Sequence, residues 1–214
     1  MVFQQIRMVV FDLDGTLVDS MGRFADVAQA VMARHFSVTP EQARLDYQRT
    51  SGLPFVYQLQ TLFPSHPQIP MAVDEFESLK LEGYDLAPFF SDIEESLLRL
   101  KQSGLKLAVS SNNHETNVER KISGLQVKFD EVMGFREGFC KGDSHFGFLC
   151  RRHALRHTEL FFVGDSLHDA RMAHKNGVSF GARLGTFQAG DFLALDIPLR
   201  IVKNYFELCD LLEA

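Results

Sequence analysis

Four short apolar runs punctuate the chain: Ile6 to Phe11, Leu105 to Val109, Leu160 to Val163 and, more weakly, Val178 to Ala182. Each leads into a stretch of helical character. Strand and helix in alternation are the signature of a doubly wound α/β fold, so the expectation is a Rossmann-like core whose strands run parallel. More than ninety residues separate the first run from the second, far more than one crossover helix needs.

The first part of that gap, from Leu17 to about Pro88, reads as helical throughout. Ala25, Ala28, Val31 and Met32 recur at helical spacing, and Thr39-Pro40-Glu41-Gln42 supplies an N-cap, a first-turn proline and a capping glutamine. Further helices are predicted over Phe55 to Phe63 and Val73 to Leu81. Three prolines within Pro64 to Pro70 predict a loop there. The core resumes with Ser91-Asp92-Ile93-Glu94, read as a capping box, followed by Ile93, Leu97 and Leu100 on one face and Gly104 as the stop. The expected organisation is a core of residues 1–16 and 89–214 interrupted by a helical insert of residues 17–88.

With 214 residues, 45% of them apolar and 23% charged, the chain can bury a substantial core. Twenty-two basic against 28 acidic side chains leave a net charge of −6, which argues against nucleic acid or an anionic membrane as partner. No apolar run approaches the roughly 18 residues of a membrane span, and Met8 to Phe11 is too short for a secretory signal. The cysteines Cys140, Cys150 and Cys209 lack the paired spacing of a zinc or redox motif. Reduced, half-buried thiols in a cytoplasmic protein are expected, with Cys140 a buried structural one. The sequence carries no signal of oligomeric state.

Chemistry concentrates where the runs end. In "VVFDLDGTLVDS" Asp12 and Asp14 stand two residues apart, so on an extended chain both carboxylates face one way. Two carboxylates that close raise each other's pKa unless a cation lies between them, and oxygen-rich sites of this kind suit Mg²⁺. In sheets of this class ligands bind outside the carboxyl ends of the strands. The second run ends in Ser110, Ser111 and Asn112, donors able to hold a phosphate. The third ends in "GDSLHD", with Asp165 leaving the strand and Asp169 on the first turn of the next helix. Lys141 lies between them in sequence. His114, His145 and His168 share no metal-ligand spacing and are read as bordering or tuning the pocket.

Taken together, "DLDGT", the strand ending "AVSSN", Lys141 and "VGDSLHD" resemble, in order and spacing, the four motifs of the haloacid dehalogenase superfamily. The resemblance spans nearly the whole chain. It implies that Asp12 is a nucleophile forming an aspartyl-phosphate and that Asp14 protonates the leaving oxygen and then activates water. Ser111 and Lys141 would hold the phosphoryl oxygens, with Asn112 a weaker neighbour. Mg²⁺ would be held by the Asp12 carboxylate, the Asp14 backbone carbonyl and Asp165. Asp169 would support the metal or orient Lys141, while Gly15 and Thr16 serve the turn.

The insert resembles the helical cap of the superfamily's first subclass, which implies a small phosphorylated metabolite as substrate. Dehalogenase members lack the second aspartate, so Asp14 favours phosphoryl transfer. Within the cap, "SGLP" looks like phosphoglycolate phosphatase-like members, although a plain turn fits it as well. Arg49 keeps a sugar-phosphate mutase of the β-phosphoglucomutase kind as the alternative. A lysine that forms an imine, as in phosphonoacetaldehyde hydrolases, has only Lys80 to offer. A metal-binding or phosphorylation switch without catalysis makes no joint use of Lys141 and Ser111.

Overall fold

The structure, a computed structural model, describes residues 5–213. It divides into two compact units, one of residues 5–18 with 89–213 and the other Asp19–Pro88. The larger unit is built on strands β1 (Met8–Phe11), β2 (Lys106–His114), β3 (Glu131–Phe135), β4 (Leu160–Gly164), β5 (Ser179–Arg183) and β6 (Arg200–Val202). Their order across the sheet is β3-β2-β1-β4-β5-β6, and every neighbouring pair is parallel. The expected α/β class and parallel sheet are borne out.

Each residue of β1 and of β4 is buried, because helices cover both faces of the sheet. That explains why these strands read as continuous apolar runs rather than alternating ones. On one face, Met8, Val10, Leu160, Phe162 and Phe180 pack with Phe146 and Leu149 of α7 (Asp143–His153) and Ala170 and Ala173 of α8 (Leu167–Lys175). β1 lies between β2 and β4 with Phe11 opposite Val109 on one side and Val163 on the other. Asp12, Ser110 and Gly164 therefore emerge at one level. The chain winds outward from β1 to β2 and β3 and then returns to β4, which makes the end of β1 the point where the winding reverses.

The smaller unit contains α1 (Met21–His35), α2 (Pro40–Arg49), α3 (Phe55–Leu62) and α4 (Ile69–Leu81). Thr39 caps α2, its hydroxyl accepting from the Gln42 amide at 3.2 Å, with Pro40 in the first turn. The glutamine side chain does not complete the box: it donates to Asp46 at 2.8 Å. Phe55 and Phe76 stack at 3.9 Å, joining α3 to α4. α4 starts four residues before the expected Val73, because Pro70 lies in its first turn, where a missing N–H costs nothing. The insert leaves and rejoins the larger unit where Val18 bridges Phe89 in antiparallel fashion.

Other expected boundaries also move. β2 continues past Val109 to His114, so Ser110, Ser111 and Asn112 belong to the strand itself. The capping box at Ser91 to Glu94 is not formed. Asp92 precedes α5 (Ile93–Gln102) without a side-chain cap, and its carboxylate accepts from the Tyr205 amide at 2.7 Å instead. That bond ties α5 to α10 (Tyr205–Glu213). The remaining helices are α6 (Glu115–Ile122) and α9 (Ala189–Leu193).

Candidate active site

Asp12 follows β1 directly and is nearly buried. The turn after it closes on the Leu13 carbonyl, which accepts from the amides of Leu17 and Val18, both at 2.9 Å. Gly15 takes φ +74°, a left-handed conformation that a side chain would resist. Thr16 Oγ1 lies 3.5 Å from Asp12 Oδ2, at the edge of hydrogen-bonding range. A further support comes from far along the chain: the Tyr205 hydroxyl donates to the Thr16 carbonyl at 2.6 Å. No sequence signal marks Tyr205, since a tyrosine's partner is set by tertiary packing.

Three other segments bring charge to this turn. Lys141, on the approach to α7, places its ammonium 2.8 Å from Asp12 Oδ1 and 2.8 Å from Asp169 Oδ1, with its side chain 5% exposed. Asp165 leaves β4, and its Oδ2 accepts from the Thr186 hydroxyl at 3.0 Å. Asp169 sits in the first turn of α8, where Ser166 caps the helix, accepting from the Asp169 amide at 3.0 Å and donating to Asp169 Oδ2 at 2.7 Å. Ligand oxygens of Asp12, Asp165 and Asp169 all lie within 4.8 Å of one another. Among the described residues this is the group of carboxylates, histidines or cysteines close enough to share a metal, and no histidine belongs to it.

The Asp14 carboxylate is directed elsewhere. Asn113 Nδ2 donates to Asp14 Oδ2 at 2.6 Å, and the Asn113 amide donates to Ser111 Oγ at 3.1 Å. Asn113 thus links Ser111 to Asp14, a part the sequence reading gave to no residue. Asn112, expected as a weaker phosphate-binding neighbour, is half-buried at the same strand end. Ser111 itself is 2% exposed. Cys140, expected to be buried, is exposed. Ser144 clamps its backbone at both ends, its Oγ accepting from the Cys140 amide at 2.9 Å and donating to the Cys140 carbonyl at 2.6 Å. That tight turn points the thiol outward and fixes the segment bearing Lys141.

The site is short of positive charge. Burial is the largest influence on Asp12 and carries its carboxyl up to about 7; Lys141 pulls it down, while Asp169 and Asp14 push it further up. Burial, then the charges of Asp12 and Asp169, raise Asp165 well above the ordinary carboxylate value. Burial also opposes the ammonium of Lys141, but the facing Asp12 and Asp169 prevail and hold it above its ordinary value. Three buried carboxylates thus share one ammonium. Such a donor set, hard oxygens with unbalanced negative charge, fits Mg²⁺.

The doubly wound core with this acidic pocket at its central strand end accords with a hydrolase class that the sequence match establishes: residues 9–182 match the family model of the haloacid dehalogenase-like hydrolases. The chain belongs to that family. A phosphoglycolate phosphatase of Vibrio vulnificus is 28% identical, the alignment covering 98% of this chain and 97% of that protein. Another from Pectobacterium atrosepticum is 26% identical, with 97% and 92% covered. Among solved structures, a haloacid dehalogenase-like family hydrolase of Streptococcus pneumoniae matches with a TM-score of 0.80 at 22% identity, covering 96% of this chain and 98% of its own. A family hydrolase of Deinococcus radiodurans, solved with bound phosphate and sodium, matches at 0.70 and 19%, covering 97% and 98%. Among the described residues, no helix is long and apolar enough to cross a membrane.

Proposed function

We propose that this hydrolase is a Mg²⁺-dependent phosphatase that cleaves a small phosphomonoester through an aspartyl-phosphate on Asp12. Its activity as a phosphoric monoester hydrolase agrees with the family and with the names of its relatives. The observation that carries the mechanism is the single ammonium of Lys141 shared by Asp12 and Asp169 beside Asp165. An ionised Asp12 attacks phosphorus as the ester P–O bond breaks, and Asp14 gives its proton to the departing oxygen. Asp14 then takes a proton from water, whose oxygen attacks phosphorus and frees Asp12. Lys141 and Ser111 hold the phosphoryl oxygens and stabilise their charge as it redistributes.

Asp12 and Asp165, with the Asp14 carbonyl, would hold the metal, while Asp169 keeps Lys141 in place. Mg²⁺, when bound, offsets the repulsion between the nucleophilic carboxylate and the incoming phosphate. Asn113 keeps the Asp14 carboxylate in a fixed orientation. We assign the choice of leaving group to the helical unit, Asp19–Pro88, acting as a cap, and phosphoglycolate is the first substrate to test. Arg49, on which the mutase alternative rests, is paired with Asp46 at 2.9 Å inside that unit. Nothing about it favours a second phosphate.

The test is release of inorganic phosphate from a panel of phosphorylated metabolites, with Mg²⁺ or with a chelator, in wild type and Asp12→Asn. The expected loss is on the order of a thousandfold or more for the variant, as for other nucleophile removals. Unchanged turnover, once deamidation is excluded by mass, would remove Asp12 from its role. Isomerisation of a sugar phosphate without phosphate release would favour the mutase, and halide release from a 2-haloacid the dehalogenase.

A further inference from the structure

His145, one turn beyond Lys141 on α7, is completely buried, and the mechanism above makes no use of it. Its Nδ1 lies 2.8 Å from Ser110 Oγ, itself fully buried, midway along β2 next to Ser111. Its ring packs 4.3 Å from that of Phe139, two residues before Lys141. The Phe139 ring is braced as well by the Arg136 guanidinium, 4.4 Å from its centre. One imidazole therefore touches both the strand that presents Ser111 and the segment that presents Lys141.

Holding a polar ring there has a cost. Burial pushes His145 down to about 4, so it is neutral at ordinary pH, and a backbone group of Gly134 opposes that only in part. Its Nε2 has no hydrogen-bond partner of good geometry. A leucine of similar bulk would fill the space without a half-satisfied polar ring. What the imidazole supplies and a leucine cannot is the bond to Ser110, together with the weaker polar contact to the Gly134 backbone in β3.

That bond falls where the sheet needs it. Ser110 is opposite Met133 in β3, but the register between the strands then shifts before His114 pairs with Phe135. Ser111, Asn112 and Asn113 lie within the irregular stretch, where regular ladder pairing no longer fixes the backbone. Ser110 is the last regularly paired residue before it. We propose that His145 is a positioning residue that locks β2 at Ser110 to the Lys141 segment, so that the Ser111 hydroxyl and the Lys141 ammonium meet one phosphoryl group together. The proposal rests on the phosphate-binding roles given above to Ser111 and Lys141.

The experiment compares His145→Leu, His145→Asn and Ser110→Ala with wild type, using Ser111→Ala as reference. Calorimetric titration gives the affinity for inorganic phosphate in the presence of Mg²⁺ and, separately, for Mg²⁺ alone; thermal unfolding and the kcat and KM of the best substrate complete the set. His145→Leu is expected to bind phosphate about tenfold more weakly and to raise KM in proportion, the loss of roughly one well-placed hydrogen bond. Its Mg²⁺ affinity stays within about twofold and its Tm is equal or higher, because an apolar side chain suits the site. His145→Asn, whose amide reaches the position of Nδ1, recovers most of the affinity. Ser110→Ala matches His145→Leu, and the double variant is no worse than either.

Wild-type phosphate affinity in His145→Leu overturns the proposal, as does a parallel loss of Tm, Mg²⁺ binding and phosphate binding that would mark a merely structural residue. Should that variant fail to fold, Ser110→Ala carries the same comparison, and wild-type affinity there overturns the proposal equally. A separate result sinks the underlying reading instead: Ser111→Ala with undiminished phosphate affinity would show that Ser111 does not hold the phosphate.

Discussion

Lys141 holds two members of the acidic group and Thr186 the third, and they act on it differently. Lys141 supplies charge to Asp12 and Asp169. Thr186, at the carboxyl end of β5, supplies only direction: its hydroxyl donates to Asp165 Oδ2 and settles how the carboxylate is turned. A metal ligand held by such an outer partner loses on the order of ten- to a hundredfold in metal affinity when the partner is removed. Thr186→Val keeps the shape and removes the hydroxyl, so it is expected to bind Mg²⁺ about tenfold more weakly by calorimetry. Thr186→Ser restores binding. With Mg²⁺ saturating, phosphate affinity stays near wild type, since neither Ser111 nor Lys141 is touched. Equal Mg²⁺ affinity in wild type and Thr186→Val would show that the Asp165 orientation is fixed by other contacts.

Between β2 and β3 the backbones approach so closely that Gly134 has no room for a side chain. A Cβ there would come within 2.3 Å of Glu115 Cα and 2.7 Å of the Asn113 carbonyl, both main-chain atoms that have no rotamer to yield. Gly134→Ala is therefore expected to destabilise the protein by about 2 kcal/mol, within the range for overpacking. Because the displaced strand carries Asn113, kcat falls more than the stability loss alone would cause. Chemical denaturation together with steady-state kinetics reads both, and a stable, fully active Gly134→Ala would mean that the strands part easily. This same stretch marks the limit of what the sequence reveals. β1 and β4 were legible because strands buried on both faces are apolar throughout, whereas β3 is partly exposed, carries Glu131 and Gly134, and leaves no such run. β6 has three residues, too few for any periodicity. With the apolar run ending at Val109, the polar residues after it have no defined faces. Once β2 is known to reach His114, residues two apart share a face, which groups Asn113 with Ser111. Asp12, Lys141 and Asp165 needed no such knowledge, because each stands at a motif of its own.

For the molecule as a whole, the buried acids couple stability to pH and to the metal. Asp12 is raised from an ordinary 3.8 to about 7 in the folded protein, and Asp165 is raised in the same direction. Between those values the folded chain keeps a proton that the unfolded chain has released, so the unfolded state binds fewer protons and stability falls as pH rises through the window. His145 contributes the opposite slope: pushed down to about 4 by burial, it stays neutral where the unfolded imidazole is charged, so stability rises from about 4 towards 6.5. A bare pH profile therefore mixes the two, and the increment in Tm on adding Mg²⁺ separates them, because His145 is no part of the acidic group. At about pH 5 the metal must displace the proton held by Asp12, and at about pH 8 Asp12 is already ionised among its acidic neighbours. The Mg²⁺ increment is expected to grow across that range, reaching about 5 to 10 °C when the metal is at a hundred times its dissociation constant. Asp12→Asn removes one ligand and one of the two raised acids, so its increment is smaller and depends less on pH. Calorimetric scans of both proteins at several pH values, with Mg²⁺ or a chelator, provide the check. An increment that is the same at both ends of the range in wild type would mean that Asp12 is ionised throughout without the metal, with Lys141 alone sufficient to hold its charge.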